Sequence, residues 1–241
     1  MPTPFIISNP PVKRTENDDV LFENMVDRYI GRLVYTSDGD FVKANYPYAR
    51  MVLVRVQGGG GAGGGAVSTP AGQNSGGAGG GSGAYAESWL ETTSLAGSVP
   101  VTVGDAGTGT TGTGGSGTAS LFGSLVSAEG GPGGFSIGDA ADVPRLQTAP
   151  NKQTGGVGDF VEAGSPGDPY IALQNTGAHC VGGRGGDSKL GGGGNPGTRA
   201  ARNQDAGGFG GGGGGSGNDG GQSARNGGTG GPGVVILELY A

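Results

Sequence analysis

His179 and Cys180 are neighbours, and they are the only histidine and the only cysteine in the chain. A cysteine nucleophile needs a base beside it and a depressed pKa. Adjacency along the backbone does not bring two side chains together, and no second histidine exists to complete a metal or relay site. The pair therefore reads as structural. A single cysteine also excludes an intrachain disulfide and a cysteine-cluster metal centre. Residues 182–190, GGRGGDSKL, come close to the calcium-binding nonapeptide GGxGxDxUx. Lys189 occupies the position that needs a large apolar side chain, and no tandem copy follows to stack against the first, so no metal is expected. The glycine runs invite comparison with phosphate cradles, but the P-loop pattern GxxxxGK[ST] is absent, and dinucleotide fingerprints match any polyglycine stretch by chance. Paired carboxylates for glycoside cleavage cannot be picked out by spacing. The expectation is a protein with no cofactor that is not an enzyme.

Binding is the chemistry left. Between Asp139 and Val181 the chain is poorer in glycine and carries Arg145, Phe160, Tyr170 and His179 among several prolines and acidic residues. Aromatic and basic side chains in loops on a rigid scaffold are suited to recognition, since aromatic rings stack on sugars or flat protein surfaces. These four are the candidate binding residues. The competing reading is that each aromatic fills a gap in a core short of large side chains.

Composition limits what can hold such loops. Of 241 residues 61 are glycine, far above ordinary usage, while aromatics make up only 6%. A large conventional hydrophobic core is therefore not expected. The net charge of −6 comes from 14 basic residues scattered among 20 acidic ones, whereas nucleic-acid binding leaves a basic patch, so no nucleic-acid partner is expected. The longest late apolar run, Val234 to Leu237, is far short of a membrane span, and the N-terminus lacks a basic start followed by a long apolar run. A soluble protein made in a cytoplasm, without membrane insertion, is expected.

Two regions follow from the pattern. In residues 1–35, Thr15 and Asp18 after Pro10 and Pro11 look like a helix start. Phe22, Val26, Tyr29 and Leu33 then follow at helical spacing, with Gly31 as a cap that trims the seam. A short N-terminal helical segment is expected, packed on its own chain or acting as an attachment and oligomerisation element. Residues 36–241 are framed by Met51–Gln57 and Val234–Tyr240, apolar runs of strand length. Tyr85 to Thr93, Ser98 to Val103 and Thr118 to Ala128 add further strands, with Pro100 pointing to an edge strand.

Between the strands, Gly-Gly-X recurs in register at 130–135, 182–187 and 227–232. A polyproline-II-type helix has three residues per turn and no internal hydrogen bonds. Every X then falls on one face (Pro132 with Phe135, Arg184 with Asp187, Thr229 with Pro232), and the bare faces let neighbouring backbones approach. Their N–H groups must find carbonyls on neighbours. Runs with no side chain at all, such as 58–61 and 210–215, suit the most enclosed positions. A Gly/Ser-rich segment is otherwise a flexible linker; the register and the framing strands argue for order. Collagen is excluded, because glycine does not fall strictly at every third position. The expected fold is mainly β with packed polyglycine-II helices.

The order of motifs resembles the glycine-rich C-terminal domain of bacteriophage tail-fibre and receptor-recognition (adhesin) proteins. It runs MVLVRVQGGGG (51–61), GAYAE (83–87), VTVG (101–104), ASLFGS (119–124), SAEGG (127–131), a second glycine block, and GPGVVILE (231–238). The resemblance covers about 36–241. It implies a virion tail-fibre tip protein that binds a bacterial surface glycan or outer-membrane protein, docks on other tail-fibre or baseplate proteins, and assembles as a homotrimer. The alternatives are a fibre connector or tip cap without receptor contact, and an ice-binding protein; the irregular, charged 139–181 segment fits the flat repetitive face of the latter poorly.

Overall fold

The computed structural model describes residues 7–8, 29–151, 155–174, 179–198 and 205–241. The architecture is mainly β, built from several antiparallel sheets. The largest has six strands in the order β1 (Ile7–Ser8), β2 (Tyr29–Tyr35), β17 (Val234–Tyr240), β4 (Met51–Gln57), β6 (Tyr85–Glu91) and β13 (Phe160–Glu162). The two framing runs of the sequence are thus central neighbours, paired from Val234↔Gln57 to Tyr240↔Met51. A five-stranded sheet has the order β12 (Gly156–Val157), β9 (Val126–Ala128), β8 (Ser120–Phe122), β7 (Ser98–Thr102) and β3 (Gly39–Val42).

These two sheets make a sandwich. Side chains alternate across a strand, so Val52, Val54 and Val56 of β4 and Val235, Leu237 and Leu239 of β17 point inward. They meet Phe41, Val99, Val101, Phe122 and Val126 from the other sheet. The main hydrophobic core is small and lies in this sandwich, and a second cluster of Tyr170, Ala172 and Cys180 lies apart from it.

Two expectations need correction. Tyr29 and Leu33, read as the end of a helical seam, lie in β2, and Gly31 pairs with Leu239 within that strand rather than capping a helix. Pairing with β17 overrides a weak local helical pattern. The rest of that expected helical segment (Thr15, Asp18, Phe22, Val26) lies outside the described residues. The strand containing Pro100 is not at an edge: β7 lies between β3 and β8. Proline is tolerated because the β8 ladder stops at Val101↔Phe122, and the turn at Gly123 donates its N–H to the Pro100 carbonyl at 2.8 Å.

Beyond the sandwich, six strands run straight into glycine tracts: β4 into 58–66, 77–84 into β6, β7 into 104–110, 112–118 into β8, β9 into 129–135 and 225–233 into β17. Within 58–66 the N–H groups take three partners in rotation. Gly58, Gly61 and Gly64 donate to Ala84, Gly81 and Ala78; Gly59, Ala62 and Gly65 to Thr118, Gly115 and Gly112; Gly60, Gly63 and Ala66 to Gly231, Gly228 and Arg225. Its carbonyls accept from three further stretches, through Gly131 and Gly134, through Gly213 and Ser216, and through Gly107. One backbone therefore has six backbone neighbours, and its hydrogen bonding repeats every third residue rather than every second. The tract is buried throughout, as is 210–219.

The outer tracts follow the same period. In Val181–Asp187 only Val181, Arg184 and Asp187 are exposed, the glycine pairs between them being buried, and Arg184 meets Asp187 at 2.7 Å. Where the two-residue period of the strands gives way to the three-residue period of the tracts, buried side chains take up mismatched main-chain groups. Gln57 Nε2 donates to the carbonyls of Gly83 and Ala84, each at 2.9 Å, and Ser120 Oγ donates to the Gln57 carbonyl at 2.7 Å while accepting from Gly104 N.

Candidate functional site

Among the described residues two surfaces bring chemistry-bearing residues together, one on the far side of the glycine tracts and one on the sandwich. The first is the cap over the far end of the glycine tracts. It contains a three-stranded sheet of β10 (Ser136–Ala140), β5 (Asn74–Gly77) and β16 (Gly217–Asn218), and another of β11 (Arg145–Gln147), β14 (Tyr170–Ala172) and β15 (Cys180–Val181). The Tyr170 ring lies against Gly76, where any added methyl group would overlap it, so the second sheet is seated on the first.

Three of the four candidate residues belong to this cap. Tyr170 is fully buried and its hydroxyl donates to Asn74 Oδ1 at 3.0 Å; burial, the largest cause, pushes its pKa well up. Arg145 is half-buried on the same asparagine, with Nη1 donating to the Asn74 carbonyl at 2.9 Å and Nη2 to the Gly138 carbonyl at 2.9 Å. The structure thus unites Arg145 and Tyr170, but as an inward-facing brace around Asn74, not as a displayed pair. His179 is exposed, and its carbonyl accepts from Leu173 N. Cys180 faces the interior, its thiol donating to the Gln174 carbonyl at 3.2 Å, and burial raises its pKa, the opposite of nucleophile activation. Asp187 is held by both guanidinium nitrogens of Arg184 and by Gly193 N, which keep its pKa below the usual carboxylate range, Arg184 being the main cause.

What the cap displays is aliphatic. Leu146 pairs with Ile171 and Ile171 with Val181, giving a row across the three strands; Leu146 is 59% exposed and Leu173, just beyond, 61%. Sequence reasoning passed over these residues because Leu and Ile in short strands look like core. The signal was strict alternation in Tyr170-Ile-Ala172, where the aromatic residue takes the inside and isoleucine the outside.

The fourth candidate, Phe160, belongs to the second surface, the outward face of the six-stranded sheet. Residues directly paired across antiparallel strands share a face, so this surface can be read in rows. Tyr29, Tyr240, Met51 and Glu91 form one; Arg32, Glu238, Leu53 and Trp89 the next; Val34, Ile236, Arg55, Glu87 and Phe160 the third. Trp89 and Phe160 are each 47% exposed. The Trp89 and Tyr240 rings meet across β4 with centroids 5.1 Å apart, and Tyr29 meets Tyr240 edge-on at 5.7 Å.

Beside the rings lies an ion-pair network. Glu238, almost buried, accepts from Arg32 and Arg55 (Nη1, 3.1 Å), and Arg55 Nε lies 3.7 Å from Glu87. Tyr85 donates to Glu87 at 2.6 Å, and Tyr240 to Glu238 at 3.3 Å. Lys189 pairs with Glu162 at 2.8 Å and stands 6.0 Å from both the Tyr85 and the Phe160 ring centroids. Of these residues only Phe160 was read from the sequence as a binding candidate. The available signal was Glu238, a charge at an alternate position of an otherwise apolar strand.

The family model of the glycine-rich domain matches residues 36–240, most of the chain. The chain belongs to the glycine-rich domain family. The matched span of this glycine-rich domain takes in the sandwich from β3 to β17, every glycine tract and the cap, while β2 completes its largest sheet from just outside. None of the curated proteins matches the chain.

Proposed function

We propose that this glycine-rich domain protein is a bacteriophage tail-fibre tip protein that attaches the virion to a bacterial surface receptor, and that its glycine tracts are packed polyglycine-II helices. The three-residue rotation of hydrogen-bond partners and the buried glycine pairs support the polyglycine-II reading, since that helix presents its donors along three directions. The order of strand and glycine motifs, which resembles receptor-recognition proteins, supports the attachment reading.

One observation carries the functional reading: the bundle separates the ends of the molecule. The framework strand β2 starts at Tyr29, beside Tyr240 and Met51. The chain then passes the full length of β4 and the nine residues 58–66 before reaching the cap. At about 3 Å per residue, the tract alone sets the cap roughly 25–30 Å beyond the sandwich. A rigid spacer with an exposed aliphatic row at its far end suits contact at a distance, with virion partners at the near end. Assembly as a homotrimer would add multivalency, since identical tips raise effective concentration and let weak contacts hold a particle.

The test is competition. Purified protein incubated with host cells should block phage adsorption, and a variant carrying Leu146→Asp and Ile171→Asp should lose that block while keeping its fold by circular dichroism. No inhibition at saturating wild-type protein would sink the attachment reading. Exchange of residues 139–181 for those of a relative should shift host range; if it instead left host range intact and disrupted virion assembly, the connector or tip-cap reading would replace it.

A further inference from the structure

We infer that the outward face of the six-stranded sheet around Trp89 is a saccharide-binding site, fitted to a neutral oligosaccharide. The inference goes beyond receptor attachment at the cap, because this surface belongs to the sandwich, at the other end of the glycine tracts.

Trp89 is the only tryptophan, in a chain poor in aromatics, yet it is 47% exposed in β6, whose inward positions are taken by the smaller Ala86, Ser88 and Leu90. A large ring left outside when the core is short of large side chains calls for a surface role. Its neighbours make that role specific. The rings of Trp89, Tyr240 and Tyr29 are contiguous, and Phe160 extends the aromatic surface on the far side of Glu87. An aromatic ring carries a negative face, which attracts the weakly positive C–H face of a pyranose.

Charge selects the class of ligand. Cationic and carboxylate groups alternate beside the rings: Arg32 and Arg55 around Glu238, Arg55 against Glu87, and Lys189 against Glu162. Because these charges are paired with one another, the surface offers fixed donors and fixed acceptors side by side with little net field. A hydroxyl both donates and accepts, so a polyol matches both kinds of group at once. An anionic glycan would find Arg32, Arg55 and Lys189 already engaged by carboxylates, and a flat apolar protein surface would strip water from the ion pairs without replacing its hydrogen bonds.

Trp89 supplies the readout, because emission from a lone tryptophan reports this surface alone. The intact chain would be titrated with a panel of neutral gluco-, galacto- and manno-oligosaccharides and with uronic-acid oligosaccharides as the charged arm. Saturable change in Trp89 emission with a neutral oligosaccharide, insensitive to salt, is expected. By calorimetry Trp89→Ala should abolish binding, and Arg32→Ala should weaken it about tenfold, with the circular dichroism of both unchanged. The cap variant carrying Leu146→Asp and Ile171→Asp should bind normally, which separates this site from the proposed receptor contact. No saturable response to any neutral oligosaccharide at millimolar concentration would overturn the inference. So would response to the charged arm alone, or concentration-dependent self-association abolished by Trp89→Ala, which would make the patch a contact between copies of the chain.

Discussion

A methyl group is the smallest side chain that breaks this fold, and where it does so is set by the backbone alone. At Gly60 an added Cβ would overlap the Gly211 carbonyl, and at Gly63 the Gly214 carbonyl. Both neighbours are main chain and neither can swing aside. The alanines inside the same tract, Ala62 and Ala66, are fully buried, so the lattice admits a methyl group only at chosen positions. Gly97 is the counter-case, with nothing within 4 Å of its would-be Cβ. Gly60→Ala should cost at least about 2–4 kcal/mol by analogy with overpacking and its lost hydrogen bonds. Gly97→Ala should be neutral or stabilising by up to about 1 kcal/mol, through reduced freedom of the unfolded chain. Urea denaturation of the two variants compares them directly. Equal stability would mean that the tracts are loosely packed.

Strand β17 links the sequence pattern to the sandwich and to its outer face. Leu237 and Leu239 lock into the core, while Glu238 between them ties β2 and β4 together through Arg32 and Arg55. Removing the nearly buried carboxylate leaves two guanidiniums facing each other, whereas removing Arg32, about half exposed, leaves Glu238 with Arg55. Glu238→Ala should therefore destabilise by about 1–3 kcal/mol, and Arg32→Ala by less than about 1 kcal/mol. A double-mutant cycle in urea would check the coupling.

The limits of sequence reading lie at this scale too. The strands Met51–Gln57 and Val234–Tyr240 were legible because each is a β-branched or apolar run of strand length, and the enclosed glycine runs because no side chain forbids close approach. Tyr29 and Leu33 misled because two residues four apart fit a helix face locally, while their partner strand lies some 200 residues away. Tyr170 was recognised as noteworthy, but its inward direction depends on Gly76, a contact no spacing reveals. The face around Trp89 was hidden for the same reason, being assembled from strands distant in sequence.

At the scale of the molecule, the central question is how so much glycine stays ordered when each costs about 0.5–1 kcal/mol more than alanine to fix. The hydrogen-bond pattern answers it through cooperativity. Tract 58–66 is bonded to six other backbone stretches, and each of these is bonded onward: 77–83 to 210–216, 210–216 to 183–186, and 228–231 back to 211–214. No tract can be peeled away without breaking bonds to several others, so the bundle should open as a unit. Amide hydrogen exchange tests this. Protection across 58–66 and 210–216 should be nearly uniform and should approach the free energy of global unfolding, whereas amides of exposed turn residues such as Thr93, Ser94 and Gly97 should exchange earlier. A gradient of protection falling along 58–66 from the sandwich toward the cap would instead mean that the sandwich alone is cooperative. Exchange as fast as in an unstructured peptide would remove the scaffold, and with it the basis for a cap held at a distance.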